Sequence, residues 1–291
     1  RRTVRGVAVA EASAPASSAN LGPGFDVLAL ALGLRCRVVA DLSDAWSIDH
    51  GEGQAPDADS DDAVLAAAKA AVGEDRPLSL KVDNEIPIGR GLGSSAAAIV
   101  AAAAAALAAT AGSVDRDRVF ELAASMEGHP DNAAAAVYGG LVIVPPEGRP
   151  LRLPIHPGIR PVVAVPKDIF LTAEARQVLE PKVPLATTTR TVARASALVA
   201  GFLTGDAQLF AAAHGDELHE EPRSRARPRT AELVKRARDA GALHAAWSGS
   251  GPSVLAIVTP ETEASVIAAL SSEDTRVLAV DVATEGLDVS A

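Results

Sequence analysis

Two patterns of hydrophobic and polar residues follow one another along most of the chain. Alternation with a period of two and short apolar runs both predict strands; they occur at 4–14, 33–41, 46–50, 78–86, 139–144, 161–165, 243–247, 253–258 and 276–282. Longer runs rich in alanine and leucine predict helices; they occur at 63–72, 94–111, 115–126, 172–179, 188–203, 206–213, 230–240 and 261–271, with a shorter one after residue 132. This mixed order, with paired strands near the C-terminus, predicts an α+β protein.

The chain length and one proline-rich stretch predict two domains. A chain of 291 residues can form one large domain or two ordinary domains, each with a sizeable core. The stretch Pro145-Pro-Glu-Gly-Arg-Pro150 belongs to neither pattern and predicts a boundary. We therefore expect an N-terminal domain over 1–150 and a C-terminal domain over 151–291. Within the first domain, the acidic stretch 51–62 predicts a surface loop before the next helix.

One glycine-rich stretch joins a predicted strand to the longest alanine-rich helix. It is Pro87-Ile-Gly-Arg-Gly-Leu-Gly-Ser-Ser-Ala-Ala97, whose three glycines allow backbone conformations and close approaches that a Cβ would forbid. Ser94 and Ser95 stand where an N-cap is expected, and the unpaired N–H groups of a helix N-terminus suit a phosphate. The spacing matches neither a Walker A loop nor the Rossmann fingerprint. By itself the stretch is compatible with a phosphate site or with an ordinary connection between a strand and a helix.

Charge and cysteine content exclude several classes of function. The formal charge is −10, from 27 basic and 37 acidic residues, which argues against nucleic-acid binding and against an anionic membrane surface. The only cysteine, Cys36, alternates with Leu34 and Val38, so we expect a core residue and a reducing, cytoplasmic compartment. No apolar segment follows Arg1, so no secretory signal is expected. The apolar run Ala96–Ala109 is too short to span a bilayer and predicts a buried helix.

Four polar stretches have no packing explanation: 15–26, 87–97, 127–132 and 248–252. Each of them ends a predicted strand or helix. Each also contains groups that bind phosphate, a metal ion or a carboxylate. Any one of the four is compatible with a simple turn, whereas the set of four predicts a common site.

The same stretches resemble the motifs of the GHMP kinase superfamily of small-molecule kinases. Pro87–Ala97 is similar to its central phosphate-binding motif, Ala246-Trp-Ser-Gly-Ser-Gly-Pro252 to its C-terminal glycine motif, and Pro15–Asp26 to its N-terminal motif. Within the superfamily, Ser17-Ser-Ala-Asn-Leu-Gly-Pro-Gly-Phe-Asp26 and Glu127-Gly-His-Pro-Asp-Asn132 are similar to the homoserine kinases. The resemblance covers essentially the whole chain. It implies a ribosomal protein S5 domain 2-like ATP-binding domain followed by a ferredoxin-like α+β domain.

The resemblance also implies an activity, namely transfer of the γ-phosphoryl group of ATP to the side-chain hydroxyl of L-homoserine in threonine biosynthesis. The expected product is O-phospho-L-homoserine, and the expected cofactors are ATP and Mg²⁺. A cytoplasmic homodimer that binds neither nucleic acid nor membrane is expected. Two alternatives stay open at this point: a related kinase acting on another small alcohol, and a non-catalytic sensor with the same fold.

The resemblance assigns the nucleotide and metal sites residue by residue. Mg²⁺ is expected on the carboxylate of Glu127 and on the hydroxyl of Ser94 or Ser95, because hard oxygen ligands suit this ion. Without the family, Glu127 would be a solvated helix end. ATP is expected on Pro87, Ile88, Gly89, Arg90, Gly91, Leu92, Gly93, Ser94, Ser95, Ala96 and Ala97.

The acceptor site is implied in the same way. Asn132, Arg223 and Glu127 are the expected catalytic residues, although an amide cannot act as a general base where related kinases have a carboxylate. The hydroxyl is then activated by positioning, Mg²⁺ and arginine, or by a base that the sequence does not identify. Asp62 replaces an asparagine associated with the adenine pocket, so base recognition is undetermined. The residues expected to bind homoserine are Asn20, Asp26, His129, Asp131, Asn132, Arg176 and Arg223; without the family, 223–229 would be a solvated basic face.

Overall fold

The computed structural model describes residues 9–51 and 62–290 as two mixed helix and sheet layers. The strands are β1 (Val9–Ala19), β2 (Leu28–Leu42), β3 (Ser47–Asp49), β4 (Leu78–Asn84), β5 (Leu141–Ile143), β6 (Leu151–Leu153), β7 (Arg160–Pro166), β8 (His244–Trp247), β9 (Val254–Val258), β10 (Thr275–Ala279) and β11 (Asp288–Ser290). The helices are α1 (Ala63–Val72), α2 (Ser94–Ala111), α3 (Arg116–Glu127), α4 (Asp131–Tyr138), α5 (Thr172–Gln177), α6 (Leu185–Thr204), α7 (Ala207–Ala212), α8 (Glu220–Ala226), α9 (Pro228–Asp239) and α10 (Glu263–Leu270).

The first sheet has seven strands and is built around the long strand β2. Its order is β11-β1-β2-β4-β3, and β5 pairs with the N-terminal part of β2 and with β6. All pairs are antiparallel except β3–β4. Cys36 lies on β2 and is fully buried, as predicted, and burial raises the pKa of its thiol to about 12.

Helix α2 forms the centre of this core. Thirteen of its residues are buried, nearly all of them alanines, whose small side chains allow close contact with α1, β1 and β2. By length and composition, α2 is the one helix in the described part of the chain apolar enough to cross a membrane, and 72% of it is buried inside the protein. The prediction of a buried core helix is therefore confirmed.

The second sheet has four antiparallel strands in the order β10-β7-β9-β8. Numbered from β7 onward, this order is 4-1-3-2, with helices before β8 and before β10, which is the ferredoxin-like arrangement. Helices α9 and α10 bury Leu233, Val266 and Leu270 in a core with Trp247. The predicted C-terminal α+β domain is confirmed by this topology.

Most predicted elements are present, and α1 and α2 have the predicted limits. The predicted end of the first strand at residue 14 is wrong, because β1 continues through Pro15 to Ala19. A register shift between Pro15 and Ala16 accommodates the proline, after which pairing with β2 resumes. Strands β6 and β11 and helix α8 were not predicted, because they are too short to show a periodic pattern.

The predicted domain limits are not tested by these elements. Two short strands beyond residue 150, β6 and β11, join the first sheet, so the chain returns to the N-terminal layer at its end. The first residues of the strand predicted at 4–14 and nearly all of the acidic loop predicted at 51–62 lie outside the described residues. The division into 1–150 and 151–291 stays a prediction.

Candidate active site

A cleft of about 480 Å³ lies where the two layers meet. All four polar stretches contribute to it, although they come from separate parts of the sequence. Ala96 and Ala97 do not line the cleft because both are buried in α2. Of the residues predicted to form the site, those that line the cleft are Asn20, Asp26, Pro87, Ile88, Gly89, Arg90, Gly91, Leu92, Gly93, Ser94, Ser95, Glu127, His129, Asp131, Asn132, Arg176 and Arg223.

The N-terminus of α2 opens onto the cleft. Its N-cap is Gly93, in the left-handed conformation with φ +64° and without a side-chain cap. The predicted serine N-cap is therefore wrong, since Ser94 and Ser95 are the first two helical residues. Their backbone N–H groups donate to no acceptor in the described chain. Such free donors and the positive end of a helix dipole suit an anion, so the phosphate site predicted here is compatible with the structure and stays a prediction.

The two serines have different partners. Ser94 Oγ accepts a hydrogen bond from Asn84 Nδ2 at 3.0 Å. Ser95 Oγ donates to Glu127 Oε1 at 2.5 Å, which places a hydroxyl and a carboxylate together at the cleft. Within the described residues, no cluster of three or more histidine, cysteine or acidic side chains is arranged to hold a metal. Any cation at Ser95 and Glu127 would therefore share its remaining positions with ligand oxygens or water.

Gly91 joins the two glycine loops. Its φ is +73°, and its carbonyl oxygen accepts a hydrogen bond from Ser248 Oγ at 2.7 Å. A Cβ at this position would overlap the Ser248 carbonyl oxygen and lie 2.8 Å from the backbone nitrogen of Gly251. The predicted positive φ is confirmed. The structure adds a second reason for the glycine, because contact with the loop at 248–252 excludes a Cβ before any ligand is considered, and the close approach to phosphate stays a prediction.

The N-terminal loop holds three non-glycine residues in the left-handed region: Asn20, Leu21 and Asp26, with φ of +69°, +53° and +56°. Such conformations are costly and persist where the surroundings enforce them, often at functional sites. The Asn20 amide supplies part of this enforcement. Its Nδ2 donates to the Gly249 carbonyl at 2.9 Å, and its Oδ1 accepts from the backbone N–H of Asp26 at 3.0 Å. Asn20 therefore connects the N-terminal loop to the C-terminal glycine loop.

Asp26 and Arg176 form a bidentate ion pair across the cleft. The two contacts measure 2.7 and 3.2 Å, and the side chains are 34% and 37% exposed. The Arg176 guanidinium also lies 5.5 Å from the ring centroid of Phe25. In this structure Asp26 and Arg176, both predicted to bind homoserine, thus neutralise one another.

Arg223 is 2% exposed, so a solvated basic face, the alternative without the family resemblance, is excluded at this position. Its Nε donates to the Ala175 carbonyl at 3.1 Å, and its Nη1 donates to the Gly249 carbonyl at 3.1 Å and to His219 Nδ1 at 2.9 Å. Burial, followed by the nearby charge of Arg176, lowers the pKa of Arg223 to about 10, so it stays protonated at neutral pH. Its Nη2 donates to no described residue and is left for the cleft.

The stretch Glu127–Asn132 forms the opposite wall. Asp131 is 2% exposed, and burial raises the pKa of its carboxyl to about 6, against the opposing charge of His129. His129 Nδ1 lies 3.7 Å from Asp131 Oδ1 and makes no hydrogen bond in the described structure. Asn132 Oδ1 accepts from the Ser17 hydroxyl at 2.7 Å, and its Nδ2 donates to Asp131 Oδ1 at 3.5 Å; Asn132 also lines the cleft.

Comparison with known proteins agrees with this geometry. Residues 62–140 match the family described as "GHMP kinases N terminal domain", and residues 198–274 match "GHMP kinases C terminal". The homoserine kinase of Moorella thermoacetica is 39% identical over 251 residues, 83% of this chain and 85% of that protein. That of Thermus thermophilus is 40% identical over 265 residues, 89% of this chain and 90% of that protein.

The chain belongs to the homoserine kinase family of GHMP kinases. The crystal structure of homoserine kinase from Cytophaga hutchinsonii superimposes with a TM-score of 0.84 at 28% identity and covers 97% of both chains. The structure of L. major mevalonate kinase in complex with R-mevalonate has a TM-score of 0.72 at 16% identity, covers 94% of this chain and 96% of that one, and shares the fold. The predicted two-domain GHMP kinase fold is confirmed.

Two residues of this homoserine kinase family member are already engaged with protein groups. Asp62 Oδ1 caps α1 by accepting from the N–H groups of Val64 and Leu65, and its Oδ2 lies 2.5 Å from His50 Nε2. The guanidinium of Arg90 donates to three backbone carbonyls, those of Ile88, Pro166 and Lys167. It thereby ties the glycine loop to the second layer, and a role for its side chain in ATP binding stays a prediction.

Two buried residues behind the cleft were missed by the sequence analysis of this kinase, His219 and Glu220. Glu220 Oε1 accepts from the backbone N–H of Trp247 at 2.6 Å. Burial raises the pKa of the Glu220 carboxyl to about 7, against the opposing effect of that hydrogen bond. Both residues precede Arg223 in an acidic stretch that resembles any solvated helix start, so no sequence signal distinguished them.

Replacing Glu220 by glutamine should change how the free energy of unfolding depends on pH. Because the folded pKa of Glu220 is raised, its stabilising contribution is complete at low pH and is lost as the pH rises through about 7. Glutamine does not titrate but still accepts from Trp247. The variant should therefore gain about 2–3 kcal/mol relative to the parent protein between about pH 5 and pH 8, as measured by urea unfolding.

A matched control is available at the next position in the chain. Glu221 is exposed and pairs with Arg225 at 3.1 Å. Its replacement by glutamine removes only an exposed ion pair, so the unfolding free energy should change by no more than about 1 kcal/mol. Equal pH slopes for the Glu220→Gln variant and the parent protein would show that Glu220 does not titrate in this range.

Proposed function

We propose that the protein is a homoserine kinase that transfers the γ-phosphoryl group of ATP to the side-chain hydroxyl of L-homoserine. The observation that carries the proposal is the content of one cleft. It holds free N–H groups at the start of α2, the Ser95–Glu127 pair, and the charged set Asp26, Arg176 and Arg223. Phosphoryl transfer requires mainly positioning and charge stabilisation, and this cleft supplies both.

The triphosphate is bound by the glycine loop and the start of α2. The N–H groups of Ser94 and Ser95 point toward the cleft without protein acceptors, and the helix dipole favours anionic oxygens at the same place. The contact between Gly91 and the 248–252 loop holds the loop in this conformation. The proposed ATP site therefore depends on residues from both the N-terminal and the C-terminal half of the chain.

Ser95 and Glu127 are the residues that would hold Mg²⁺. Both side-chain oxygens are hard ligands, and they already lie within 2.5 Å of one another at the cleft. Magnesium keeps several waters and phosphate oxygens, so two protein ligands are sufficient. When bound, the ion would neutralise charge on the transferring phosphoryl group. Ser94 is the weaker candidate because its hydroxyl is bonded to Asn84.

Homoserine is a zwitterion, and its two charges match the two partners of the Asp26–Arg176 pair. A half-exposed ion pair is worth about 0–1 kcal/mol, so exchanging it for contacts to substrate costs little. We place the substrate ammonium at Asp26 and its carboxylate at Arg176 and at Nη2 of Arg223. Each charge-assisted hydrogen bond contributes about 1.5–3 kcal/mol. A molecule that carries only one charge would leave either Asp26 or Arg176 without an oppositely charged partner.

Asn132 takes part without accepting a proton. Its amide oxygen is occupied by the Ser17 hydroxyl, and an amide is not a base. The amide N–H groups can orient the acceptor hydroxyl or a phosphoryl oxygen. His129 and Asp131 complete this wall of the proposed acceptor site. Activation of the hydroxyl then rests on positioning and on charge stabilisation by Arg223 and the metal site.

A coupled ADP-release assay with a panel of acceptors tests the proposal. L-homoserine, mevalonate, galactose and 3-amino-1-propanol are compared at equal concentration with MgATP. We expect ADP release above the no-acceptor background with homoserine and little with the others. Preference for mevalonate or galactose would favour a related kinase, and no acceptor-dependent ADP release would favour a non-catalytic sensor.

Replacing Glu127 by glutamine should lower kcat about 100-fold, the effect of removing one electrostatic stabiliser of a transition state. The homoserine KM should change much less, because Glu127 does not face the Asp26–Arg176 pair. Initial rates over a Mg²⁺ titration check this result. Ser95→Ala should raise the Mg²⁺ requirement, whereas the matched Ser94→Ala change should not. Unchanged turnover of the Glu127→Gln variant at saturating Mg²⁺ would remove Glu127 from the metal site.

We also propose a cytoplasmic homodimer, as the family suggests. Helix α6 has the most exposed apolar side chains in the described chain, with Leu185 82% and Val192 60% exposed. Such side chains favour an interface when they are contiguous. Light scattering after size-exclusion chromatography would give the mass of a dimer if this proposal is correct.

A further inference from the structure

His219 lies behind the proposed acceptor site and immediately precedes α8. It is fully buried, and its ring stacks on Phe25 with centroids 5.2 Å apart and an angle of 26°. Phe25 is also the ring beneath the guanidinium groups of Arg176 and Arg223. His219 does not line the cleft itself. Its effect on a substrate would therefore act through other residues.

Both ring nitrogens of His219 have partners. Nε2 lies 2.8 Å from the Gly22 carbonyl oxygen, and Nδ1 lies 2.9 Å from Nη1 of Arg223. A carbonyl can only accept and a guanidinium can only donate, so Nε2 carries the hydrogen and Nδ1 is the acceptor. The network thus selects one neutral tautomer. His219 connects the N-terminal loop to Arg223 through that tautomer.

The charged groups around His219 agree with a neutral ring. Burial lowers the pKa of His219 to about 4; the carboxylate of Asp216, with Oδ2 3.6 Å from Nε2, opposes this effect, and Arg223 adds to it. Asp26 of the N-terminal loop acts in the same direction as Asp216. A protonated His219 would have to place an N–H against the N–H of Arg223. The neutral tautomer is therefore the form present at neutral pH.

We propose that His219 is a positioning residue that orients Arg223 so that Nη2 faces the substrate carboxylate. The inference deepens the proposed homoserine kinase function and depends on it for its kinetic part. Two nitrogens of the Arg223 guanidinium donate to three acceptors. Nε donates to the Ala175 carbonyl, and Nη1 donates to the Gly249 carbonyl and to Nδ1 of His219. Of these, only His219 is a side chain, so it alone can be changed by substitution.

His244 is a matched control in the same region. It is also buried, and its Nε2 lies 3.0 Å from the carbonyl oxygen of Leu21, the residue next to Gly22. Its Nδ1, however, has no hydrogen-bond partner in the described structure. His219 and His244 thus support neighbouring carbonyls of one loop, and His219 differs by its contact with Arg223. Replacing His244 therefore tests only the effect of losing a side chain that supports this loop.

The kinetic test compares His219→Phe, His219→Gln and His244→Phe. Phenylalanine keeps the ring and loses both hydrogen bonds, and we expect the homoserine KM to rise at least about tenfold with the ATP KM within about twofold. Glutamine keeps a donor and an acceptor and should recover part of this loss. His244→Phe should leave the homoserine KM near that of the parent protein. Equal KM effects of the two phenylalanine variants would reduce His219 to loop support and overturn the proposal.

A double-mutant cycle with Arg223→Ala tests whether His219 acts through that residue. In the Arg223→Ala background, His219→Phe should change the homoserine KM by less than about twofold, because the group that it orients is absent. Full additivity of the two effects on a free-energy scale would contradict the proposal.

A spectroscopic test does not depend on the activity. Nitrogen-15 NMR of the imidazoles should show the Nε2–H tautomer of His219 between about pH 5 and pH 8, with an Nδ1 resonance typical of a nitrogen that accepts a hydrogen bond. Arg223→Ala should shift the Nδ1 resonance by removing that hydrogen bond, while the Gly22 carbonyl keeps the hydrogen on Nε2. Absence of homoserine phosphorylation together with this Arg223-dependent Nδ1 resonance would reject the proposed function and retain the link between His219 and Arg223. An Nδ1 resonance unaffected by Arg223→Ala would reject that link.

Discussion

Replacing Arg223 by alanine should lower kcat/KM for homoserine about 10- to 150-fold, because a charge-assisted bond to the carboxylate is worth about 1.5–3 kcal/mol. The affinity for ATP should stay nearly unchanged, since Arg223 belongs with Arg176 and Asp26 to the proposed acceptor site. Arg223→Lys keeps the charge but replaces the three guanidinium nitrogens by one ammonium group. Lysine should therefore recover only part of the loss in kcat/KM. Steady-state kinetics with each substrate varied in turn gives these values.

Because Arg223 is buried, its removal also leaves a buried protein acceptor, Nδ1 of His219, without its donor. A preference ratio separates this structural cost from recognition of the carboxylate. The parent protein should discriminate strongly between homoserine and 3-amino-1-propanol, which lacks the carboxylate, and the Arg223→Ala variant should discriminate far less. Arg176→Ala should shift the ratio in the same direction. If both variants keep the parent ratio, neither arginine contacts the carboxylate.

Replacing Gly91 by valine should abolish measurable ATP binding in calorimetry. The glycine has φ +73°, which a β-branched residue avoids, and a Cβ would overlap the Ser248 carbonyl oxygen. The clash separates the glycine loop from the 248–252 loop and so displaces the free N–H groups at the start of α2. Some loss of stability is expected as well, because the hydrogen bond from Ser248 to Gly91 connects the two layers.

Gly148→Ala is the control for backbone strain alone. Its φ is +89°, and nothing lies within 4 Å of the position of a Cβ. The variant should be slightly destabilised, by about 1 kcal/mol, and should bind ATP normally. Calorimetry on all three proteins, with circular dichroism to check folding, provides the comparison. Normal ATP affinity in a folded Gly91→Val protein would exclude the stretch 87–97 as the phosphate site.

The sequence alone determined the elements and motifs whose information is local. Helices α1 and α2 have the predicted limits because alanine-rich runs strongly favour helices. Cys36 was placed in the core by period-two alternation, and the order of strands and helices predicted the class. The four polar stretches were expected to meet because nothing in their packing explained them, and all four do line one cleft.

Only the tertiary structure decided the contacts between distant segments. Residues 16–19 were assigned to a loop, but pairing with β2 keeps them in β1 beyond the bulge at Pro15. Gly91 has the predicted positive φ, but its contact with a loop more than 150 residues away could not be predicted from the sequence. Arg223 belongs to a basic run in the sequence, yet in the fold it is buried. Its guanidinium donates to the carbonyls of Ala175 and Gly249 and to the ring of His219. Hydrogen bonds of this kind depend on which groups the fold brings within about 3 Å, and residue spacing along the chain does not determine that distance.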